Sequence, residues 1–70
     1  MSPGGPPRPE TPLGEVIIEK VRNGAFLKVS AIHVATGLEV SAVGPVHEPH
    51  GVERVALAKL SRALQRAKPQ

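Results

Sequence analysis

The dipeptide Asn23-Gly24 constrains the fold of this chain more than any other feature, because it separates two runs rich in β-branched residues, EVIIEKVR and AFLKVSAI. Asn-Gly between two such runs is the strongest short-range signal for a β-hairpin with a two-residue type I′ turn. The turn also predicts a register for the two strands. In that register Val21 pairs with Phe26, Glu19 with Lys28, Ile18 with Val29, Ile17 with Ser30 and Val16 with Ala31.

A second turn follows at Val34-Ala35-Thr36-Gly37, where Gly37 is expected to take the left-handed conformation that closes a four-residue loop. His33 then lies opposite Leu38, and the third strand ends at Gly44-Pro45. A shift of one residue would move every side chain to the other face, so agreement between the two turns supports the register. Both turns place the same apolar residues on one face: Val16, Ile18, Val29, Ala31, Val40 and Ala42.

The rest of the chain predicts one C-terminal helix that begins near Gly51 or Val52 and stops before Pro69. Glu53 is expected in its first turn, where an acidic side chain suits the helix dipole. Cations that suit the other end are Arg62, Arg66 and Lys68. An apolar stripe at helical spacing consists of Val52, Val55, Ala56, Leu60, Ala63, Leu64 and Ala67, interrupted by Lys59.

These elements predict an α+β fold of order βββα: a three-stranded antiparallel β-meander followed by one C-terminal α-helix packed on one sheet face. The segment before it, MSPGGPPRPETP, has prolines at a spacing of three, which is the repeat of a polyproline II helix. We therefore predict a disordered proline-rich tail over residues 1–13 and the βββα domain over residues 14–68. A ligand for a proline-binding groove is the functional alternative for the tail.

The length of 70 residues and the absence of cysteine allow only a small core without disulfides, which favours oligomerisation. The sheet face opposite the predicted helix is then available to a partner. Its candidate interaction residues are Ile17, Val21, Phe26, Lys28, Ile32 and Val43.

No residue pattern predicts catalysis. No serine or threonine stands in a glycine-bounded nucleophile elbow, and the sequence has no glycine-rich phosphate loop. We therefore expect no enzyme, catalytic residue, cofactor or small-molecule substrate. His47, Glu48 and His50 are residue types that bind zinc, but their spacing is loose and a third protein ligand is missing. A polar loop is the simpler interpretation of these residues, and His33 is expected to be a solvated strand-end residue.

The helix cations are candidate nucleic-acid contacts, since the chain has a formal net charge of +3. The βββα order resembles the second half of a double-stranded-RNA-binding domain. However, the first helix of that domain is missing, and Glu53 stands where that family concentrates lysines. A solvated helix face is the alternative interpretation. The candidate contacts are Arg54, Lys59, Arg62 and Arg66.

The segments GEVIIE, LKVSAI, TGLEVSAVGP and VALAKLSRAL together resemble a family of small uncharacterised bacterial proteins, a domain of unknown function. The resemblance spans Gly14 to about Ala67 and implies a strand-turn-strand-turn-strand-helix pattern. It carries no catalytic signature.

These observations favour a non-enzymatic interaction module that self-associates through the sheet, either by pairing an exposed edge strand or by packing the face that carries Phe26, Val21 and Ile32. A nucleic-acid-binding protein that uses the basic helix face and an adaptor subunit of a larger assembly are the alternatives. The sequence has no apolar run near the ~20 residues of a membrane span and no secretory signal, so we expect a cytoplasmic protein without membrane contact.

Overall fold

The computed structural model describes residues 10, 11 and 13–67, which form one antiparallel sheet with one helix packed on it. The strands neighbour each other in chain order. Their bounds are β1 Glu10–Thr11, β2 Gly14–Asn23, β3 Phe26–His33 and β4 Glu39–Pro45, followed by α1 Pro49–Ala67. The three long strands and the helix confirm the predicted α+β fold.

The short strand β1 falls within the segment predicted as a tail, and it pairs with the start of β2 through Thr11 and Gly14. The other residues of that segment before Leu13 lie outside the described residues, so the prediction of a disordered proline-rich tail rests on the sequence alone. The same holds for Lys68 and Pro69 at the other end.

The first hairpin has a different turn from the predicted one. Gly24 and Ala25 occupy its two central positions, so that Asn23 pairs with Phe26. Gly24 has a φ of +64° and Ala25 has no positive φ, which is the pattern of a type II′ turn with glycine first. The predicted register is therefore wrong by two residues. The observed pairs include Val21 with Lys28, Glu19 with Ser30, Ile18 with Ala31 and Val16 with His33.

A shift of two residues leaves each side chain on its predicted face, because side chains alternate along a strand with a period of two. The face toward α1 therefore has the predicted composition. Its buried members are Val16, Val29, Ala31 and Ala42, and its partly buried members are Ile18 and Val40.

The second hairpin has the predicted four-residue loop and register. The backbone of His33 donates to Leu38 O at 2.8 Å and accepts from Gly37 N at 2.7 Å, and Gly37 has a φ of +76°. The side chain of His33 is buried rather than solvated. Its Nε2 lies 2.9 Å from the carbonyl oxygen of Leu13, and its Nδ1 lies 2.8 Å from Thr36 Oγ1. The imidazole thus joins this loop to the residue before β2.

The helix α1 begins at Pro49, earlier than predicted. Proline suits the first helical position because it has no N–H to leave unpaired and its φ is already helical. Val52 N donates to Glu48 O at 3.1 Å, so Glu48 lies just before the first turn. That turn contains no acidic residue, and the placement of Glu53 in it is wrong. Arg66 lies in the last turn, as predicted.

The buried side of α1 is a row of residues four apart. Val52, Ala56 and Leu60 are buried in the core that α1 forms with β3 and β4. The structure exposes two residues that the helical spacing predicted on this side, Val55 and Lys59. The residues that pack beside the buried row are Leu57 and Leu64.

A close contact between Gly44 and Val52 sets the distance between α1 and β4. A Cβ at position 44 would lie 2.6 Å from Val52 Cγ2, well inside the ~3.5–4.0 Å at which carbon atoms pack. Valine is stiff at χ1 and this one is buried, so it has little room to move. Only glycine at position 44 permits this approach.

We expect Gly44→Ala to lower the free energy of unfolding by about 1–3 kcal/mol, because the added methyl overpacks the contact with Val52. The matched control is Gly51→Ala in the first turn of α1, whose Cβ would lie 3.9 Å or more from the nearest side-chain atoms, those of Glu48. Removing a helical glycine should raise stability by about 0.5–1 kcal/mol. Urea unfolding of both variants checks the pair. Equal stability of Gly44→Ala and the wild type would contradict this packing.

The register of the first hairpin predicts specific nuclear Overhauser effects. Val34 N donates to Glu15 O at 3.2 Å, so that pair is hydrogen-bonded and alternate pairs along the ladder are not. Non-hydrogen-bonded partners lie closest, with Cα atoms about 4.5 Å apart. We expect strong Hα–Hα cross-peaks between Ile18 and Ala31. A strong cross-peak between Glu19 and Lys28, a non-hydrogen-bonded pair in the other register, would instead indicate an Asn-Gly turn.

Candidate interaction surfaces

The open face is the sheet surface opposite α1, formed by the odd-numbered residues of β2 and β4 and the even-numbered residues of β3. No other described element packs on it. Three large apolar side chains stand out by their exposure: Val21 is 60% exposed, Phe26 59% and Val43 66%. The open face therefore carries three of the five large hydrophobic side chains that are exposed among the described residues.

These apolar side chains surround a lysine. Lys28 pairs with Val21 on one side and with Val43 on the other. Phe26 is the next residue of β3 on the same face, which makes it a diagonal neighbour of both valines. The predicted direct pair of Val21 with Phe26 and the predicted ion pair of Glu19 with Lys28 do not form, because both depended on the wrong register.

The other end of the open face carries a second, less exposed group. Ile17 pairs with Ile32, and both are half-buried. A polar row of Glu19, Ser30 and Ser41 crosses the sheet between the two groups. All six predicted face residues thus lie on the open face, but the structure brings only Val21, Phe26, Lys28 and Val43 together.

The strand β4 forms one edge of the sheet. Leu38 O accepts from β3 and Val46 N donates to Ala25 O, which shows that even-numbered residues here direct their backbone groups toward β3. Backbone groups alternate in direction along an antiparallel strand. The residues whose N–H and C=O point outward are therefore Glu39, Ser41 and Val43. We call this row the β4 edge.

Helix cations flank the β4 edge. Lys59 Nζ donates to the backbone oxygen of Ser41 at 2.6 Å, and Arg62 and Arg66 follow on the same side of α1. We call these three the cationic flank. Arg54 lies about 140° around the helix axis from Lys59, so it belongs to another side of the helix. The structure therefore brings together three of the four predicted nucleic-acid contacts.

A shallow groove continues the β4 edge toward the start of α1. It is mostly apolar, with Glu48 as its charged member. The groove was not predicted from the sequence, and pairing through an exposed edge strand was predicted without a choice of strand. The order of a three-stranded meander already puts its last strand at an edge, but only the packing of α1 shows what lies beside it. The lining residues are Val43, Gly44, Pro45, Glu48, Gly51, Val52 and Val55.

A protein-family model described as a domain of unknown function, DUF6898, matches residues 13–67. The chain belongs to this family. The DUF6898 match covers the three long strands and α1, and it confirms the family resemblance predicted from the sequence; a bacterial origin stays a prediction. No curated protein matches the chain, and no solved structure matches it.

The histidines of the DUF6898 domain that were predicted as possible metal ligands are brought together with too few other ligand side chains for a metal site among the described residues. His47 Nε2 is 3.9 Å from Glu48 Oε2, and both side chains are largely exposed. His50 is exposed in the first turn of α1. Within residues 10, 11 and 13–67, no three or more His, Cys, Asp or Glu side chains form a group that could hold a metal ion. Among the described residues, α1 lacks the combination of length and apolar character that a helix needs to cross a membrane.

Proposed function

We propose that this DUF6898 domain is a non-enzymatic, cytoplasmic interaction module that self-associates through the open face. The observation that carries the proposal is the cluster of Val21, Phe26 and Val43 around Lys28, on a face that no other described element covers. Contiguous exposed apolar side chains with a polar surround are characteristic of protein interaction sites.

The charges of the open face suit a second copy of the same chain. Lys28 stands on the central strand, and Glu19 and Glu39 stand on the two flanking strands. A two-fold interface presents the same patch from each subunit, so a patch that contains both charge signs can pair with itself. Lys28 of one copy then meets a carboxylate of the other while the apolar clusters exclude water.

The size of the open face sets the expected affinity. Three strands at a spacing of about 4.8 Å and seven residues at about 3.3 Å each give a footprint of about 14 by 23 Å. This is smaller than the roughly 800 Å² per partner that stable complexes bury. The dimer should therefore be weak and depend on protein concentration.

Phe26→Glu should abolish self-association, because it places a charge at the centre of the apolar contact while leaving the core unchanged. Light scattering over a dilution series of the wild type should show molar mass rising toward twice that of the 7.4 kDa chain. The variant should stay at the monomer mass with an unchanged circular dichroism spectrum.

The matched control is Val34→Glu, which adds the same charge at an exposed valine in the β3–β4 loop, at the opposite end of β3 from Phe26. It should associate like the wild type. A wild type that is monomeric at millimolar concentration would refute the proposal, and so would a Phe26→Glu variant that associates normally. Val21→Lys provides a second test if Phe26→Glu does not fold.

Nucleic-acid binding is a second candidate, supported by the cationic flank. Arg62 and Arg66 are exposed and line a shallow depression together with Gln65. Paired cations of this kind on one helix side are suited to contact successive phosphates. Because the cationic flank carries only three charges, the physical argument for nucleic-acid binding is weaker than the argument for self-association.

If the cationic flank binds nucleic acid, Arg62→Gln should reduce the slope of log affinity against log salt by about 0.7 for a single strand. Arg54→Gln removes an equal charge from another side of α1 and should leave the slope close to that of the wild type. Fluorescence anisotropy of a labelled oligonucleotide at several salt concentrations measures both. Equal slopes for the two variants, or no binding at low salt, would exclude this use of the flank.

A further inference from the structure

We infer that the β4 edge is a docking site for an extended acidic segment of a partner protein, which adds to the sheet as a further strand beside β4. This surface uses outward backbone groups of β4, whereas self-association uses side chains of the open face, although Glu39 and Val43 contribute to both. The inference therefore does not rest on the proposed function.

The backbone of the β4 edge fits an extended peptide. Glu39, Ser41 and Val43 direct their N–H and C=O groups away from the sheet. They recur every second residue, at about 6.6 Å, which is the repeat of backbone groups along one side of any extended chain. Strand addition to an exposed edge takes its affinity from these main-chain hydrogen bonds and its selectivity from the flanking side chains.

Lys59 is the flanking side chain that makes the site selective. Its ammonium group already donates to Ser41 O at 2.6 Å, so it covers one of the outward carbonyls. Lysine at a strand edge is a common means of preventing indiscriminate pairing. A peptide carboxylate offers Lys59 a charged acceptor, and hence an ion pair, in place of that neutral carbonyl. The Ser41 oxygen is then released to accept from a peptide N–H.

The direction of α1 along β4 gives the site two unlike ends. Val52 lies against Gly44 and Lys59 reaches Ser41, so the helix runs opposite to the strand. The seven helical steps from Val52 to Lys59 and the three strand steps from Ser41 to Gly44 both span about 10 Å. The helix and the strand therefore lie side by side over this length. The rest of the cationic flank therefore lies near Glu39, at the start of β4. The apolar groove lies at the other end.

This polarity specifies the partner. Carboxylates of the bound segment belong on its helix-facing side, near the cationic flank. An apolar side chain belongs near Val43, where Pro45, Val52 and Val55 line the groove. The recognised ligand is thus an extended strand of alternating pattern with acidic residues on one side.

Two other occupants fit less well. Self-pairing of β4 about a two-fold axis at Ser41 would bring two Lys59 ammonium groups face to face, and like charges across an interface are repulsive. A nucleic acid would use the cationic flank, but it would leave the outward N–H and C=O groups of the edge and the apolar groove without matching partners.

The test uses the full chain and an end-blocked, fluorescein-labelled peptide of about ten residues in which Glu alternates with Val. We expect saturable binding by anisotropy, and none for the same peptide with Lys in place of Glu. Removing one exposed ion pair with Arg62→Gln should weaken binding about fivefold, whereas Arg54→Gln should leave it unchanged. Amide hydrogen exchange of Ser41 and Val43 should slow when the peptide is bound.

A backbone variant separates strand addition from simple charge attraction. Ser41→Pro removes an outward N–H without removing a hydrogen bond to β3, and proline is tolerated on edge strands in this orientation. It should abolish binding, while Ser41→Ala binds like the wild type. The exchange measurement and Arg62→Gln still decide the question if Ser41→Pro does not fold.

The inference would be overturned by equal binding of the Glu and Lys peptides, by tight binding to a folded Ser41→Pro variant, or by unchanged exchange at Ser41. Binding of a labelled oligonucleotide but not of the peptide would assign the flank to nucleic acid instead. Slow exchange at Ser41 that appears with protein concentration alone would assign the edge to a second copy.

Discussion

The contact between Gly44 and Val52 is the constraint on which the rest of the structure depends. It lets α1 approach β4 closely enough for Val52, Ala56 and Leu60 to enter the core and bury one face of the sheet. A small core of aliphatic side chains gains its stability from such close packing, because it contains no large aromatic group to fill a gap. The position of α1 over β3 and β4 also decides which surfaces remain accessible.

Two accessible surfaces result, and they differ in chemistry. The open face presents apolar side chains around Lys28 on hydrogen-bonded strands, which suits a contact between side chains of two folded domains. The β4 edge presents backbone groups beside the cationic flank, which suits an extended chain. Glu39 and Val43 contribute to both surfaces, but the open face uses side chains and the β4 edge uses mainly backbone groups. The surface ion pair of Lys20 with Glu53, at 3.2 Å, joins α1 to β2 on the far side from that edge.

Much of the candidate site could be predicted from the sequence, because side-chain alternation needs no tertiary information. The six face residues were assigned to the correct face even though the first hairpin register was wrong. Their neighbours could not be predicted, since the alternation is the same after a shift of two residues. The association of Phe26 with both Val21 and Val43 around Lys28 therefore appears only in the structure.

The sequence by itself determined the order of elements, the apolar face and the second hairpin, because local periodicity and a glycine with positive φ are properties of short segments. Tertiary structure alone decided the first turn. Gly24 permits a turn that begins at either Asn23 or Gly24, and the observed choice places His33 opposite Val16, where its imidazole reaches Leu13. Tertiary packing also turned Val55 and Lys59 outward and directed Lys59 to the β4 edge. The reason is that a helical stripe specifies a side of the helix only approximately, and contact with the sheet selects the final orientation.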